Sequence, residues 1–161
     1  MIKRSEKLAF MQVTEGANTV YRRMTEFTEL SVSKNPKEYS RKYVDEAAER
    51  SAVVGYSPSI SYKMDFNPDN SVHKEFAKIA DYELTGEDAV KNIVIVDLTS
   101  DDGEGVCSAV KRAFSIIPSA EGDDSDTYTL SGNMKASGEI VFGSCESSDD
   151  WQTVTFTEAE E

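Results

Sequence analysis

A period of two governs this sequence, and it restricts the chain to β-structure before anything else is considered. In Ser59-Ile-Ser-Tyr-Lys-Met-Asp-Phe66, the apolar Ile60, Tyr62, Met64 and Phe66 alternate with Ser59, Ser61, Lys63 and Asp65. That spacing gives a strand with one greasy and one wet face. A longer alternation follows downstream: Tyr128, Leu130, Met134, Ala136, Ile140 and Phe142 lie on one side, and Thr127, Thr129, Ser131, Asn133, Lys135, Ser137 and Glu139 on the other. Read as one strand, Thr127 to Phe142 would run about 50 Å at roughly 3.3 Å per residue, far beyond the usual five or six residues. Either a turn at Asn133 or Ser137-Gly138 divides it, or it is one long strand flexed at Gly132 and Gly138; two strands in a hairpin are expected.

Only one stretch carries a helical stripe. Val72, Phe76, Ile79 and Ala80 recur at helix spacing after Asn67-Pro-Asp-Asn-Ser71, which offers N-cap oxygens, so a helix of about three turns is predicted near Ser71 to Tyr82. Ile93-Val-Ile-Val96 is β-branched with no polar side and reads as a buried strand. Further strands are expected at 19–24, 27–33, at Cys107–Ile117 ended by Pro118, and at Trp151–Phe156. Residues 1–18 lack a strong period and read as an N-terminal arm or a loosely attached first strand. Residues 34–50 mix both signs of charge with Tyr39 and Tyr43 and have no apolar stripe, as expected of a projecting loop or arm; 157–161 form an acidic tail. The sum is a single domain, 1–161, mainly β: an antiparallel sandwich or barrel with one short α-helix.

With 161 residues, the chain is long enough to bury one core and short for two. No apolar run approaches the roughly 20 residues of a membrane helix, and Leu8-Ala-Phe-Met11 is too short for a signal-peptide core, so a soluble, non-secreted chain is expected. Cys107 and Cys145 stand outside any metal or redox spacing and are expected as buried thiols. The net charge of −13 is unevenly placed: from Asp97 onward, fifteen acidic side chains face three basic ones. Such a surface repels phosphate and argues against tight nucleic-acid binding.

Nothing in the sequence assembles a catalytic group. His73 stands alone, the clusters Asp101-Asp102, Asp123-Asp124-Ser-Asp126 and Asp149-Asp150 do not match a twelve-residue calcium loop, and no phosphate-cradling or nucleophile-elbow motif occurs. The expectation is a binding or assembling protein without catalytic residues, cofactor or metal.

Several segments in this order resemble phage major tail tube proteins of the kind found in prophages of Gram-positive bacteria. They are Phe27-Thr-Glu-Leu-Ser31, Asn35-Pro-Lys-Glu-Tyr-Ser-Arg-Lys-Tyr-Val-Asp-Glu46, Gly55-Tyr-Ser-Pro-Ser-Ile-Ser-Tyr62, Val94–Asp97, Arg112-Ala-Phe-Ser-Ile-Ile-Pro118, and Gly138-Glu-Ile-Val-Phe-Gly143 through Trp151. The resemblance implies a virion protein whose subunits form stacked six-membered rings around a DNA conduit. It would assemble in the host cytoplasm with a tape-measure protein and a baseplate-side initiator, and DNA would pass without tight binding. It also implies that the 34–50 loop reaches a neighbouring subunit, through Tyr39, Arg41, Lys42, Tyr43, Asp45, Glu46 and Arg50. The candidates for a lumen lining are Ser59, Ser61, Asp65, Thr129, Ser131, Ser137 and Glu139. The competing reading is a carbohydrate- or protein-binding β-sandwich module of a phage adhesion device, although the aromatics Tyr39, Tyr43, Tyr82, Tyr128 and Trp151 are scattered along the chain rather than clustered.

Overall fold

The computed structural model describes residues 1–159. Its strands are β1 (Lys7–Glu15), β2 (Asn18–Arg23), β3 (Phe27–Ser33), β4 (Pro36–Arg41), β5 (Arg50–Tyr56), β6 (Ser59–Asp65), β7 (Val90–Asp97), β8 (Cys107–Glu121), β9 (Thr129–Ala136), β10 (Val141–Glu146) and β11 (Thr153–Glu158), with the helix α1 (Ser71–Asp81) between β6 and β7. Nine strands form one antiparallel sheet in the order β10-β11-β2-β1-β7-β8-β9-β6-β3, and β10 also pairs with β8. That extra pairing closes six of them into a barrel. The fifteen-residue β8 belongs to two structures at once: its Cys107–Lys111 half pairs with β10 to close the barrel, and its Phe114–Glu121 half pairs with β9 to start the β9-β6-β3 extension.

Because β1 and β7 sit in the middle of this sheet, both of their faces are covered and two cores result. Leu8, Phe10, Val94, Val96, Cys107, Ala109, Cys145 and Val154 fill the barrel. On the opposite face, Met11, Val13, Ile93, Phe114 and Ile116 pack against Ile60, Tyr62, Met64 and Met134 of the extension and against Val72, Phe76 and Ile79 of α1. This explains why Ile93–Val96 has no polar face. Of the two readings of residues 1–18, an arm or a loosely attached first strand, the strand holds but the loose attachment is corrected: β1 is a central strand in which Phe10 and Met11 are fully buried, and a strand buried on both faces shows no alternation to find.

The helix forms where the stripe predicts it. Asn70 Oδ1 accepts from the backbone N–H of Val72 at 3.0 Å and of His73 at 3.4 Å, satisfying two of the orphan donors of the first turn. At the other end, Glu83 takes a left-handed conformation (φ 50°) and Leu84 N–H returns to the Ile79 carbonyl at 3.1 Å.

Two other expectations are corrected. Pro118 does not end β8, which continues to Glu121 through an irregularity between Pro118 and Ala120; β7 stops pairing at Ser115, so a residue without an N–H breaks no ladder with it. The division near Ser137-Gly138 exists, but β9 and β10 do not form a hairpin. Both run antiparallel to β8, one after the other, with Ser137 N–H donating to Ala113 O at the break. The C-terminal acidic segment is partly strand, since β11 runs through Glu158; 160–161 lie outside the described residues.

Candidate assembly surfaces

Residues 36–56 stand off the body as a two-stranded ribbon. Strands β4 and β5 pair only with each other, in register Tyr39↔Ala52 and Arg41↔Arg50, and every residue of β4 is exposed. An isolated ribbon of this size has no core to stabilise it. Its internal support is polar: Ser40 and Ser51 hydroxyls meet at 3.0 Å, the Arg41 guanidinium lies 5.2 Å from the Tyr39 ring, and Arg50 lies 5.6 Å from the Tyr43 ring while donating to Glu46. At the root, Asn35 (φ 47°) donates from Nδ2 to Ser57 O and Ser59 Oγ, both at 3.0 Å, which ties the ribbon to β6.

The seven residues singled out in this arm thus all fall on the ribbon or its tip, with Lys42 and Asp45 exposed at the tip. The arm is longer than expected, because β5 extends it to Tyr56. It exposes Val44 completely, with Val53, Val54 and Tyr56 about half exposed. The β-branched Ser51-Ala-Val-Val54 run was the available signal for a second strand.

The second surface is the wet face of the four-stranded region made by β3, β6, β9 and the last half of β8. Register brings Ser31 opposite Ser61 and Ser33 opposite Ser59; on the other side of β6, Ser61 meets Asn133 and Lys63 meets Ser131, and β9 in turn sets Lys135 against Ser115. Ser61 Oγ donates to Asn133 Oδ1 at 3.1 Å, and Thr127 Oγ1 donates to Asp65 Oδ1 at 3.2 Å. The charged members are Glu29 and Asp65 against Lys63 and Lys135, so the face is close to neutral and rich in hydroxyls. The acidic excess sits instead in exposed turns at 101–104, 121–126 and 146–150.

Among the lining candidates, Ser59, Ser61, Asp65 and Ser131 share this face. Thr129 is corrected: it is 1% exposed, because the 122–126 turn folds over it and its hydroxyl donates to Asp123. That hydrogen bond, with Lys63 beside it, holds the Asp123 carboxyl below its usual range. Ser137 and Glu139 are exposed but belong to the break between β9 and β10, off the strand face. Ser31, Ser33, Asn133 and Ser115 join the face through strand pairings the sequence does not announce.

This four-stranded region also ends in unpaired edges. Among the described residues, strand β3 terminates the sheet, and β8 has no strand partner on its β7 side past Ser115, where residues 83–89 pack alongside without pairing. Open edges are pairing sites unless covered.

The remaining chemistry-bearing groups are structural. His73 is fully buried, edge-on to Phe27 and stacked with Phe66; its Nε2 lies 2.8 Å from Thr25 O, and its Nδ1 accepts from Asn67 N–H at 3.0 Å. Those partners require the neutral ring with its proton on Nε2, and burial keeps its pKa below the ordinary value. Cys107 and Cys145 are free, buried and directly opposite each other on the closing seam of the barrel; desolvation pushes the Cys145 thiol up to about 12. Among the described residues, no group of three or more His, Cys, Asp or Glu side chains is placed to hold a metal ion, and no helix is long and apolar enough to cross a membrane.

No protein-family model matches the sequence, and no curated protein does. Among solved structures, the fold is similar to a chain in the cryo-EM structure of the anti-feeding prophage baseplate, 6-fold symmetrised, with a TM-score of 0.52 and 10% sequence identity over 88% of this chain and 94% of that one. At that identity the likeness is one of fold: a closed antiparallel barrel carrying extra strands and one helix.

Proposed function

We propose that this chain is a self-assembling structural subunit of a phage-type tail, most specifically of the tail tube, whose copies join edge to edge into stacked rings around a DNA conduit. The observation that carries the reading is the four-stranded region β8-β9-β6-β3, unpaired at both edges, with a core on one face and a neutral, hydroxyl-rich surface on the other. Joining such sheets around a ring removes the edges. The surface turned inward would then carry Ser31, Ser33, Ser59, Ser61, Ser131 and Asn133, with Lys63 and Lys135 offset by Glu29 and Asp65, and so no net cationic cluster for phosphate to grip. The ribbon β4-β5 supports the same reading, because a strand pair without a core is suited to packing on another copy. The likeness of fold to a chain of a six-fold baseplate assembly agrees with it. In this reading the protein is not an enzyme, and its partners are itself, a tape-measure protein and an initiating ring.

Negative-stain electron microscopy of the concentrated protein tests it. Rings of uniform diameter, or hollow tubes whose length grows with concentration, are the expected result. A chain that stays monomeric at every concentration, with or without preformed tube ends as seeds, overturns it.

A further inference from the structure

An apolar groove of about 590 Å³ opens beside β3, on the side of the second core away from α1. Its floor includes Ala9, Met24, Ile93, Ile95 and Met134, which belong to the second core or pack against it, and no residue of α1 lines it. Its rim carries Lys3, Arg4 and Lys7, the three cations of the N-terminal segment. Arg4 is fixed there, donating to Leu30 O at 3.2 Å. From the groove, an apolar row continues across the sheet in register, Ala9 to Ile95 to Val110 to Phe142, and ends in a Phe142 ring that is 62% exposed.

The same chain carries an element that matches this surface. Among the described residues, the β4-β5 ribbon pairs with no other strand, and its tip presents the fully exposed Val44 immediately before Asp45 and Glu46. Glu46 is held by Arg50, which leaves Asp45 as the carboxylate beside the apolar knob, a complement to an apolar floor bordered by cations. Below the tip, Val53 and Val54 of β5 add further exposed apolar surface.

We propose that the groove receives the tip of the β4-β5 ribbon of a second copy of this chain, with Val44 on the apolar floor and Asp45 facing Lys3, Arg4 and Lys7. The inference rests on the self-assembly reading and specifies one of its interfaces. Knob and groove are different surfaces of one molecule, so the contact is head-to-tail: each copy offers a free groove and a free tip, and the association continues until a ring closes or a filament grows.

Two complementary chains test it. One lacks residues 42–49, which are replaced by a short turn, and keeps the groove; the other carries Lys3→Glu, Arg4→Glu and Lys7→Glu and keeps the ribbon. Below the concentration at which edge pairing alone holds copies together, sedimentation of each alone should give monomers, and an equimolar mixture should give a one-to-one dimer. Adding Asp45→Lys to the rim-reversed chain should restore its self-association to within about tenfold of wild type. In a separate chain carrying Val44→Cys at the tip and Val32→Cys on the β3 wall of the groove, two thiols oxidised by copper–phenanthroline with oxygen should lose two protons and two electrons to a disulfide between copies. The expected readout is a ladder of covalent oligomers, to which the buried Cys107 and Cys145 do not contribute. Wild-type rings or tubes without the mixed dimer or the ladder overturn this interface and leave the assembly reading standing. Disulfide confined to monomers places the tip in its own groove and overturns the proposal. A monomeric wild type overturns both.

Discussion

Gly132 lies where β9 runs hard against β8 and the Tyr62 side chain of β6. A Cβ added there would come within 2.4 Å of the Ile117 carbonyl and 2.9 Å of the Tyr62 hydroxyl, and the carbonyl is backbone that cannot rotate away. Gly132→Ala is therefore expected to destabilise the fold by about 1–3 kcal/mol, read as a lower urea midpoint at unchanged slope. In sequence, Gly132 looks like a flex point interrupting an apolar series; its role in packing depends on β8 and β6 arriving from elsewhere in the chain, which no local pattern records. His73 shows the same limit. Its place one residue from the helix stripe suggests a packed histidine, but the Thr25 carbonyl and Asn67 N–H that fix its tautomer come from other segments. Glu26 and Asp65 lie near enough to favour the charged ring, yet burial outweighs them and its folded pKa is lowered. The unfolded chain then takes up the proton first, so stability is full above about pH 6.5 and falls as the pH drops below it toward the folded pKa. Thermal midpoints of wild type should decline between pH 7 and 5.5, and those of His73→Gln, which has nothing to titrate there, should start lower and stay flatter. Parallel slopes for the two proteins would show that His73 is not the group responsible.

What could be read of each element followed from how many of its faces are buried. Strand β6 and helix α1 each have one buried and one wet side, so period and boundaries were plain: β6 alternates between half-buried and buried residues along its length, and α1 buries Val72, His73, Phe76 and Ile79. Strand β1 buries both sides and loses its period. Val110, Arg112, Phe114 and Ile116 share one face of β8, but only Phe114 and Ile116 are buried in the second core, so this stripe in sequence does not mark where the core ends. Strands β9 and β10 repeat this. Their apolar face is continuous in sequence, while Leu130 and Met134 are buried and Phe142 is exposed. The start of α1 rests on a single side chain, since Asn70 caps two backbone donors and its Nδ2 donates to Thr25 Oγ1 at 3.0 Å. Asn70→Ala should cost about 1–2 kcal/mol, toward the upper end of cap losses because the Thr25 bond goes with it, and Asn70→Asp should recover most of the cap. Chemical denaturation of the pair checks this.

The distribution of charge over the whole molecule decides what kind of conduit it could form. The net charge of −13 suggests an acidic lining, but the pairing of β3, β6, β9 and β8 puts Lys63 and Lys135 among the serines and leaves Glu29 and Asp65 to balance them, with the acidic excess in the turns. A neutral hydroxylated wall neither binds phosphate by ion pairing nor repels it strongly, so low friction on DNA would come from the lack of counterion release. Changing Ser61, Ser131 and Asn133 to lysine tests this in tubes: the three sites are surface positions on the wet face, none is in the core, and each copy gains three positive charges. Assembled variant tubes should retain double-stranded DNA at about 50 mM salt and release it steeply toward about 200 mM, whereas wild-type tubes should retain little at either. If that face lines the channel, the retained DNA is shielded from nuclease, because the enzyme cannot enter. DNA that binds the variant yet is digested at once would put the hydroxylated face on the outside of the tube, and the edges of β3 and β8 would then close the sheet with the opposite curvature.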